Sequence, residues 1–194
     1  MRCALSLPLG VTTCGTCLAT PPAFDAAIAW ADYAAPWDRL VTDLKFHAAL
    51  DLAPVFATAL VAAAVSAGAA APSLLLPVPL AAARLRERGY NQAWELARRV
   101  GRRLGIRADA GLLLRLRETS HQLSLPPAER LGNVRGAFAV EPGRRCELAG
   151  RSVALIDDVM TTGSTAAEIA AVLKQAGAAH VAVWVVARTA RPGE

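Results

Sequence analysis

The chain has 194 residues, enough for one α/β domain with a sizeable core and a small appendage. Its hydrophobic fraction of 54% and mean hydropathy of +0.34 are high, but the excess is mostly alanine, and prolines interrupt the uncharged run Leu52–Ala83. Composition therefore argues against membrane insertion. The N-terminus also reads poorly as a secretory signal, so we expect a cytoplasmic protein with a net charge of +5.

The first 22 residues show no amphipathic period, which predicts a short irregular segment ahead of a domain at 23–194. Cys14-x-x-Cys17, with Cys3 upstream, offers three thiolates to a tetrahedral zinc ion. Ser6 stands where a second C-x-x-C pair would place the fourth thiolate, and a hydroxyl is a poor zinc ligand. The segment is therefore either a degenerate zinc knuckle or a set of free cytosolic thiols.

The rest of the chain alternates predicted strands with predicted helices. Short apolar runs bounded by proline or charged residues indicate buried strands, and apolar residues at helical spacing indicate helices. In chain order we predict a strand at Ala26–Tyr33, a helix from Trp37, an alanine-rich helix from Pro54, a strand at Ser73–Pro79, a helix at Ala93–Leu104, strands at Leu112–Leu116 and Arg151–Ile156, a helix at Ser164–Ala176 and a strand at Val181–Val186. The last three form a βαβ unit, which predicts a parallel sheet covered by helices.

A basic region lies in the middle of the chain. Between Arg84 and Arg117 there are ten arginines and only three acidic residues, a balance that suits a phosphate-rich ligand or a nucleic acid. The alternative is that these arginines cover a solvated helix face. The polar connection Thr119–Arg135 follows, and such a loop is a place where we expect functional residues.

The segment Asp157–Thr165 predicts a phosphate site at the carboxyl end of a strand, where ligands bind in open α/β sheets. Small side chains, hydroxyls and a glycine let backbone N–H groups approach a phosphate at the start of a helix. Asp157 and Asp158 would repel that phosphate, so we expect one to bind ribose hydroxyls and the other to organise the loop or a hydrated Mg²⁺. Which does which is open, and an ordinary strand-to-helix turn is the alternative. The loop residues are Val159, Met160, Thr161, Thr162, Gly163, Ser164 and Thr165.

The apolar strand, the two acids and this loop resemble the motif with which type I phosphoribosyltransferases bind 5-phosphoribosyl-1-pyrophosphate (PRPP). Three further blocks, Leu44-Lys45-Phe46, Pro77–Ala93 and Arg115–Phe138, resemble one group in particular, the ComF (competence protein F) family of predicted amidophosphoribosyltransferases. The resemblance implies the type I phosphoribosyltransferase fold, an α/β architecture with a parallel sheet flanked by helices behind the cysteine-containing segment.

The resemblance also implies site residues. PRPP would bind with Mg²⁺ along Asp157–Thr165, and Pro77–Asn91 would be the loop on the pyrophosphate side. The family's four-cysteine module implies zinc at Cys3, Cys14 and Cys17, although this chain departs from that module at Ser6 and, in a second place, has Ala81 where histidine is common. The implied catalytic residues are Asp157, Asp158, Arg84 and Arg88.

The function that follows is transfer of the phosphoribosyl group of PRPP to an unidentified nitrogen acceptor, with release of pyrophosphate. His47 or His121 would serve as acid or base, or would simply be solvated. Two other functions stay open: a DNA-uptake accessory protein that contacts single-stranded DNA or a competence helicase, and a PRPP sensor without turnover. A homodimer is a further expectation from related folds.

Overall fold

The computed structural model describes residues 2–8, 10–117 and 134–190. Strands and helices alternate along most of this length. The helices are α1 (Gly15–Ala19), α2 (Trp37–Phe46), α3 (Leu52–Ser66), α4 (Ala82–Arg88), α5 (Gln92–Leu104) and α6 (Ser164–Gln175), with a 3-10 helix at Pro142–Leu148. The strands are β1 (Ala26–Asp32), β2 (Leu74–Pro77), β3 (Leu113–Arg115), β4 (Phe138–Val140), β5 (Ser152–Met160) and β6 (His180–Arg188).

Four strands form a parallel sheet in the order β1-β6-β5-β2, and β3 pairs with β4 in a separate antiparallel ribbon. Parallel strands are covered on both faces, so their sequences are nearly continuous apolar runs, as in β2. The predicted fold, a parallel sheet flanked by helices behind a cysteine-containing segment, is confirmed. The segment that was predicted to be irregular contains the short helix α1.

Side chains of β5 alternate between two hydrophobic cores. Val153 and Leu155 face the core that includes α6 and the β3–β4 ribbon, whereas Ala154 and Ile156 face the core built with α2, α3 and α5. Because successive residues of a strand point to opposite faces, the same alternation continues into the two acids that follow. A third, small cluster contains Cys3, Leu5, Cys14 and Cys17.

Two differences from the predicted boundaries bear on the site. Strand β5 runs through both aspartates to Met160 instead of ending at Ile156, because its pairing with β6 continues as far as Arg188. The predicted loop Pro77–Asn91 contains helix α4, which is made of good helix formers and ends at Gly89 in the left-handed region (φ +80°).

The run Leu52–Ala83 folds into helix α3 and strand β2. Within the described ranges, no helix has the length and apolar character needed to cross a membrane. The predicted connection Thr119–Arg135 lies, apart from its last two residues, outside the described residues, and so does His121. The division into 1–22 and 23–194 stays a prediction.

One ionic network gives the fold a testable pH dependence. Asp109 accepts hydrogen bonds from the backbone of Gly111 (2.9 Å) and Leu112 (3.1 Å) and pairs with Arg107 and Arg144. The hydrogen bonds from Arg144 outweigh the effect of burial and lower the pKa of Asp109 from 3.8 to about 2.

We predict that Asp109→Asn lowers the free energy of unfolding by roughly 2 kcal/mol at pH 7. Because the pKa of Asp109 is lower in the folded state than in the unfolded state, ionised Asp109 stabilises the fold at pH values above 3.8. This contribution disappears as the pH falls through about 2. Urea unfolding at pH 7 and pH 3 measures the difference between wild type and variant. A difference that does not shrink at the lower pH would contradict the prediction.

Candidate functional site

A cleft of about 430 Å³ opens at the carboxyl ends of β2, β5 and β6. Most of its walls come from three parts of the chain that are far apart in sequence: the end of α2, the segment from Val78 through α4, and the segment Asp157–Ala166. This is the edge at which open parallel sheets bind ligands. All the predicted PRPP-binding and catalytic residues line it: Arg84, Arg88, Asp157, Asp158, Val159, Met160, Thr161, Thr162, Gly163, Ser164 and Thr165.

The turn from β5 into α6, Met160–Thr165, is the segment predicted from the sequence to hold a phosphate, and we call it the phosphate loop. Gly163 lies at the N-cap of α6 with φ +80°, a region that glycine enters without steric cost. The hydroxyl of Thr162 is 2.8 Å from that of Ser164 and accepts a hydrogen bond from the Ser164 N–H (3.3 Å). The first N–H groups of a helix have no partner within the helix, so α6 presents donors and its positive dipole end to the cleft.

The two aspartates have different surroundings. Asp158 is 2% exposed, and its carboxylate lies 2.8 Å from the Lys45 ammonium group at the end of α2. It also accepts a hydrogen bond from the Val159 N–H. Asp157 is half-buried on the opposite side of the strand and accepts from the Asp158 N–H at 2.9 Å. Asp157 is therefore the carboxylate that a ligand can reach without breaking an ion pair.

The pKa values of the three groups follow from this arrangement. Burial raises the pKa of Asp157 well above its ordinary value, and the negative charge of Asp158 raises it further. Burial also disfavours the charged form of Asp158, but Lys45 outweighs it and lowers the pKa of Asp158. The same pairing raises the pKa of Lys45 against the effect of its own burial. The cleft thus holds the Lys45–Asp158 ion pair beside a second carboxyl group, that of Asp157, whose pKa is raised.

A basic wall faces this acid pair. Arg84 and Arg88 project from α4, both half-buried, and Arg115 joins them from β3. Arg88 lies over the ring of Phe46, 5.0 Å from its centroid, and donates a hydrogen bond to Gln92. These contacts restrict the position of the guanidinium of Arg88, which lines the cleft.

The turn Gly89-Tyr90-Asn91 connects α4 to α5 and contacts α2 through the side chain of Tyr90. Asn91 caps α5 by accepting from the Ala93 N–H (3.0 Å) and donates to the carbonyl of Val78 (3.1 Å). Tyr90 donates its hydroxyl proton to the carbonyl of Leu44, the residue before Lys45. Lys45 was missed as a site residue, although the Leu44-Lys45-Phe46 block was a signal that pointed to this segment. His47, the exposed residue that follows α2, pairs with Asp43 of that helix and does not line the cleft.

Comparison with known proteins gives relatives over nearly the full chain. The chain is 35% identical over 192 residues to the DNA utilization protein YhgH of Escherichia coli K12, a match that covers 97% of this chain and 83% of that protein. It is 33% identical over 191 residues to Competence protein F of Haemophilus influenzae, with 96% and 83% covered. The chain belongs to the ComF (competence protein F) family. No family model matches.

Solved structures are similar at a lower level. A glutamine PRPP amidotransferase from B. subtilis, complexed with ADP and GMP, matches with 22% identity and a TM-score of 0.42 over 69% of this ComF chain. The matched region is 25% of the amidotransferase chain, so this chain spans about a quarter of that enzyme. A protein from Thermus thermophilus matches with 19% identity and a TM-score of 0.42, covering 73% of this chain and 85% of that one.

The cysteines of the N-terminal segment come together as the ComF resemblance implies. The three sulfur atoms of Cys3, Cys14 and Cys17 lie within 4.8 Å of one another, all buried, with the first two 3.4 Å apart. Burial, reinforced by the two neighbouring thiols, raises the pKa of Cys17 to about 12. Ser6 instead donates to Asp32 (3.1 Å).

Three thiol groups at this spacing fit three corners of a tetrahedral zinc site. Among the described residues no fourth cysteine, histidine or carboxylate joins the cluster, so a water molecule or another donor would complete it. When bound, zinc would crosslink the ends of the segment and contribute to its folding.

The left-handed conformation of Gly163 leads to a prediction for the phosphate loop. A side chain at φ +80° strains the backbone by about 1–2 kcal/mol. On the prediction that this loop binds the phosphate of PRPP, Gly163→Ala should reduce PRPP affinity about tenfold as the loop N–H groups shift. Gly150→Ala is the matched control, because Gly150 also has positive φ (+68°) but does not line the cleft. Calorimetry measures the affinity of both variants. Equal affinity losses would contradict a specific role for the loop.

Proposed function

We propose that this ComF protein binds PRPP in the cleft and transfers its phosphoribosyl group to a nitrogen acceptor. The observation that carries the proposal is the meeting of three kinds of group around one space: a helix-start phosphate loop, a partly accessible carboxyl group and a basic wall. PRPP has a matching series of a 5′-phosphate, ribose hydroxyls and a pyrophosphate.

Each part of the ligand has a chemically suited partner. The 5′-phosphate would lie on the backbone N–H groups and hydroxyls of the phosphate loop, at the positive end of α6. The ribose hydroxyls would donate to Asp157, the more accessible acid. Asp158 would organise the site, since its carboxylate is already committed to Lys45 and to the backbone of Val159.

The basic wall suits the leaving group. Arg84 and Arg88 line the cleft and would bind pyrophosphate oxygens, since a guanidinium can hold two such oxygens at once. Displacement at the anomeric carbon by a nitrogen lone pair breaks the C–O bond to pyrophosphate, so no protein nucleophile is required. Catalysis would come from alignment and from stabilising charge on the departing pyrophosphate. Mg²⁺ bound with PRPP would neutralise part of that charge, and Asp157 offers the type of oxygen ligand it prefers.

The test separates the two ends of the ligand. Calorimetry with PRPP and with ribose 5-phosphate should show that Arg88→Ala binds PRPP about tenfold more weakly but ribose 5-phosphate unchanged. Arg86→Ala is the control, because Arg86 is exposed on the same helix and does not line the cleft. Equal loss for both ligands would contradict the assignment of Arg88 to pyrophosphate.

Turnover needs a separate measurement. Release of pyrophosphate from PRPP on addition of ammonia, amines or nucleobases would support the transferase. Saturable binding without pyrophosphate release from any acceptor would favour the PRPP sensor.

A second candidate function is contact with single-stranded DNA. Two relatives carry names that refer to DNA utilization and competence. The surface of α5 has a shallow pocket of about 340 Å³ with Trp94, Arg98 and Arg102 along one face of the helix, a small stacking platform beside cationic groups. Anisotropy of a labelled oligonucleotide should then fall steeply with salt and be weakened by Trp94→Ala. Salt-independent or Trp94-independent binding would argue against this surface.

A further inference from the structure

A buried arginine joins the phosphate loop to the cysteine cluster. Arg188, the last residue of β6, is 3% exposed. Its Nη1 donates to the carbonyls of Met160 (2.9 Å) and Thr161, which begin the phosphate loop, and to the carbonyl of Thr189 (2.9 Å). Its Nε donates to the carbonyl of Cys3 (3.0 Å). One guanidinium therefore fixes backbone atoms of the loop and of the N-terminal segment at once.

Cys3 has two roles in this arrangement. Its carbonyl accepts from Arg188, and its sulfur belongs to the thiol cluster, 3.4 Å from that of Cys14. Anything that fixes the sulfur also restricts the position of the carbonyl a few bonds away. A buried guanidinium that lacks a hydrogen-bond acceptor costs free energy. If the carbonyl of Cys3 moves away, we therefore expect the Arg188 side chain to shift until its Nε has another acceptor. Such a shift would disturb its hydrogen bonds to the carbonyls of Met160 and Thr161 in the phosphate loop.

A second contact keeps the segment in register with the sheet. Ser6 donates to Asp32 at 3.1 Å, and Asp32 is the residue of β1 paired with Arg188 of β6. Between the two contacts Ala4 has φ +53°, a conformation that costs a non-glycine residue about 1 kcal/mol or more and persists only when its surroundings impose it. The segment is thus held against the carboxyl ends of β1 and β6, beside the phosphate loop.

We propose that Arg188 is a positioning residue that couples the cysteine cluster to the phosphate loop, so that Cys3, when held by a metal ion bound to the cluster, stabilises the loop conformation that binds PRPP. This inference rests on the proposed function for its ligand. It goes beyond that function because it makes metal occupancy of the N-terminal segment a regulator of the cleft. By linkage the effect is reciprocal: PRPP raises metal affinity by the same factor as the metal raises PRPP affinity, a factor we expect to be at least about 5.

The first test does not require PRPP. Amide hydrogen exchange across 160–165 is measured for the zinc-loaded protein and for the protein treated with a chelator. In wild type, metal removal should speed exchange in this segment at least about fivefold, while in Arg188→Lys it should have no effect. Arg86→Lys, on the exposed face of α4, should behave as wild type. A merely structural Arg188 would change exchange equally with and without metal.

The second test measures the linkage itself. Zinc affinity is determined by competition with a chromophoric chelator, with and without PRPP, for wild type and Arg188→Lys. The expected fivefold or larger enhancement by PRPP in wild type should be absent in the variant. If Arg188→Lys fails to fold, Cys14→Ala replaces it: its loop should exchange like that of chelator-treated wild type, whether zinc is added or not.

The outcomes separate the two proposals. Loop exchange that does not respond to zinc in folded wild type, or a chain that binds no zinc, overturns the coupling even if PRPP binds. Loop exchange that responds to zinc through Arg188 while PRPP fails to bind supports the coupling and refutes the proposed function.

Discussion

Replacing both cleft aspartates, in Asp157→Asn/Asp158→Asn, should abolish saturable PRPP binding, with an affinity loss of at least about 100-fold, or about 2.7 kcal/mol. Asparagine keeps the shape of each side chain but removes the carboxylate that, in the proposed complex, would accept hydrogen bonds from ribose hydroxyls and offer oxygen ligands to Mg²⁺. It also removes the partner of Lys45, whose ammonium group is 2.8 Å from Asp158. Calorimetry with PRPP and Mg²⁺ measures the loss.

Two controls accompany this variant. Asp51→Asn changes an exposed aspartate outside the cleft and should bind PRPP as wild type does. Thermal unfolding checks that the double variant is folded, which we expect because Lys45, at 27% side-chain exposure, can turn toward water. A folded double variant with wild-type affinity would exclude the aspartates from the binding site.

Lys45→Met should have the largest effect on stability, because it leaves the Asp158 carboxylate buried without its ion-pair partner. Breaking a buried pair by removing one member costs about 3 kcal/mol. The pKa of Asp158, which Lys45 keeps below its ordinary value, should rise in the variant as burial becomes the dominant influence. PRPP affinity should fall as well, since Lys45 lines the cleft and holds Asp158 in position.

Urea unfolding of wild type, Lys45→Met and Lys45→Arg measures the stability effect. Arginine retains the positive charge, so Lys45→Arg should lose clearly less stability than Lys45→Met. Because the pKa of Asp158 is lower in the folded state, its ionised form stabilises the fold at pH values above the ordinary pKa of 3.8. That contribution is lost as the pH falls below this value. The free energies of unfolding of wild type and Lys45→Met should therefore become similar at acidic pH. Equal stabilities at pH 7 would contradict the role of the ion pair.

The sequence was most informative where pattern and chemistry are local. The βαβ unit of β5, α6 and β6 could be predicted because its apolar runs and its turn are contiguous in the chain. The phosphate loop was predicted for the same reason, since small residues, hydroxyls and Gly163 at the start of a helix form a local signal. The alternation that separates Asp157 from Asp158 also follows from the period of a strand.

The sequence was least informative where the site depends on tertiary contacts. Strand β5 continues through its acids only because β6 offers partners as far as Arg188, which no local pattern shows. Lys45 reaches Asp158 across more than a hundred residues of chain, and Arg188 reaches Cys3 across nearly the whole chain. Such pairs are fixed by the packing of α2 and of the N-terminal segment on the sheet, so a single sequence does not reveal them.

The most direct measurement is a calorimetric titration of the wild-type chain with PRPP, with and without Mg²⁺. We predict one saturable site per chain, bound more tightly with Mg²⁺, together with an increase in thermal stability that follows ligand concentration. Folded protein that gives neither binding heat nor thermal stabilisation with PRPP would contradict the assignment of the cleft to this ligand.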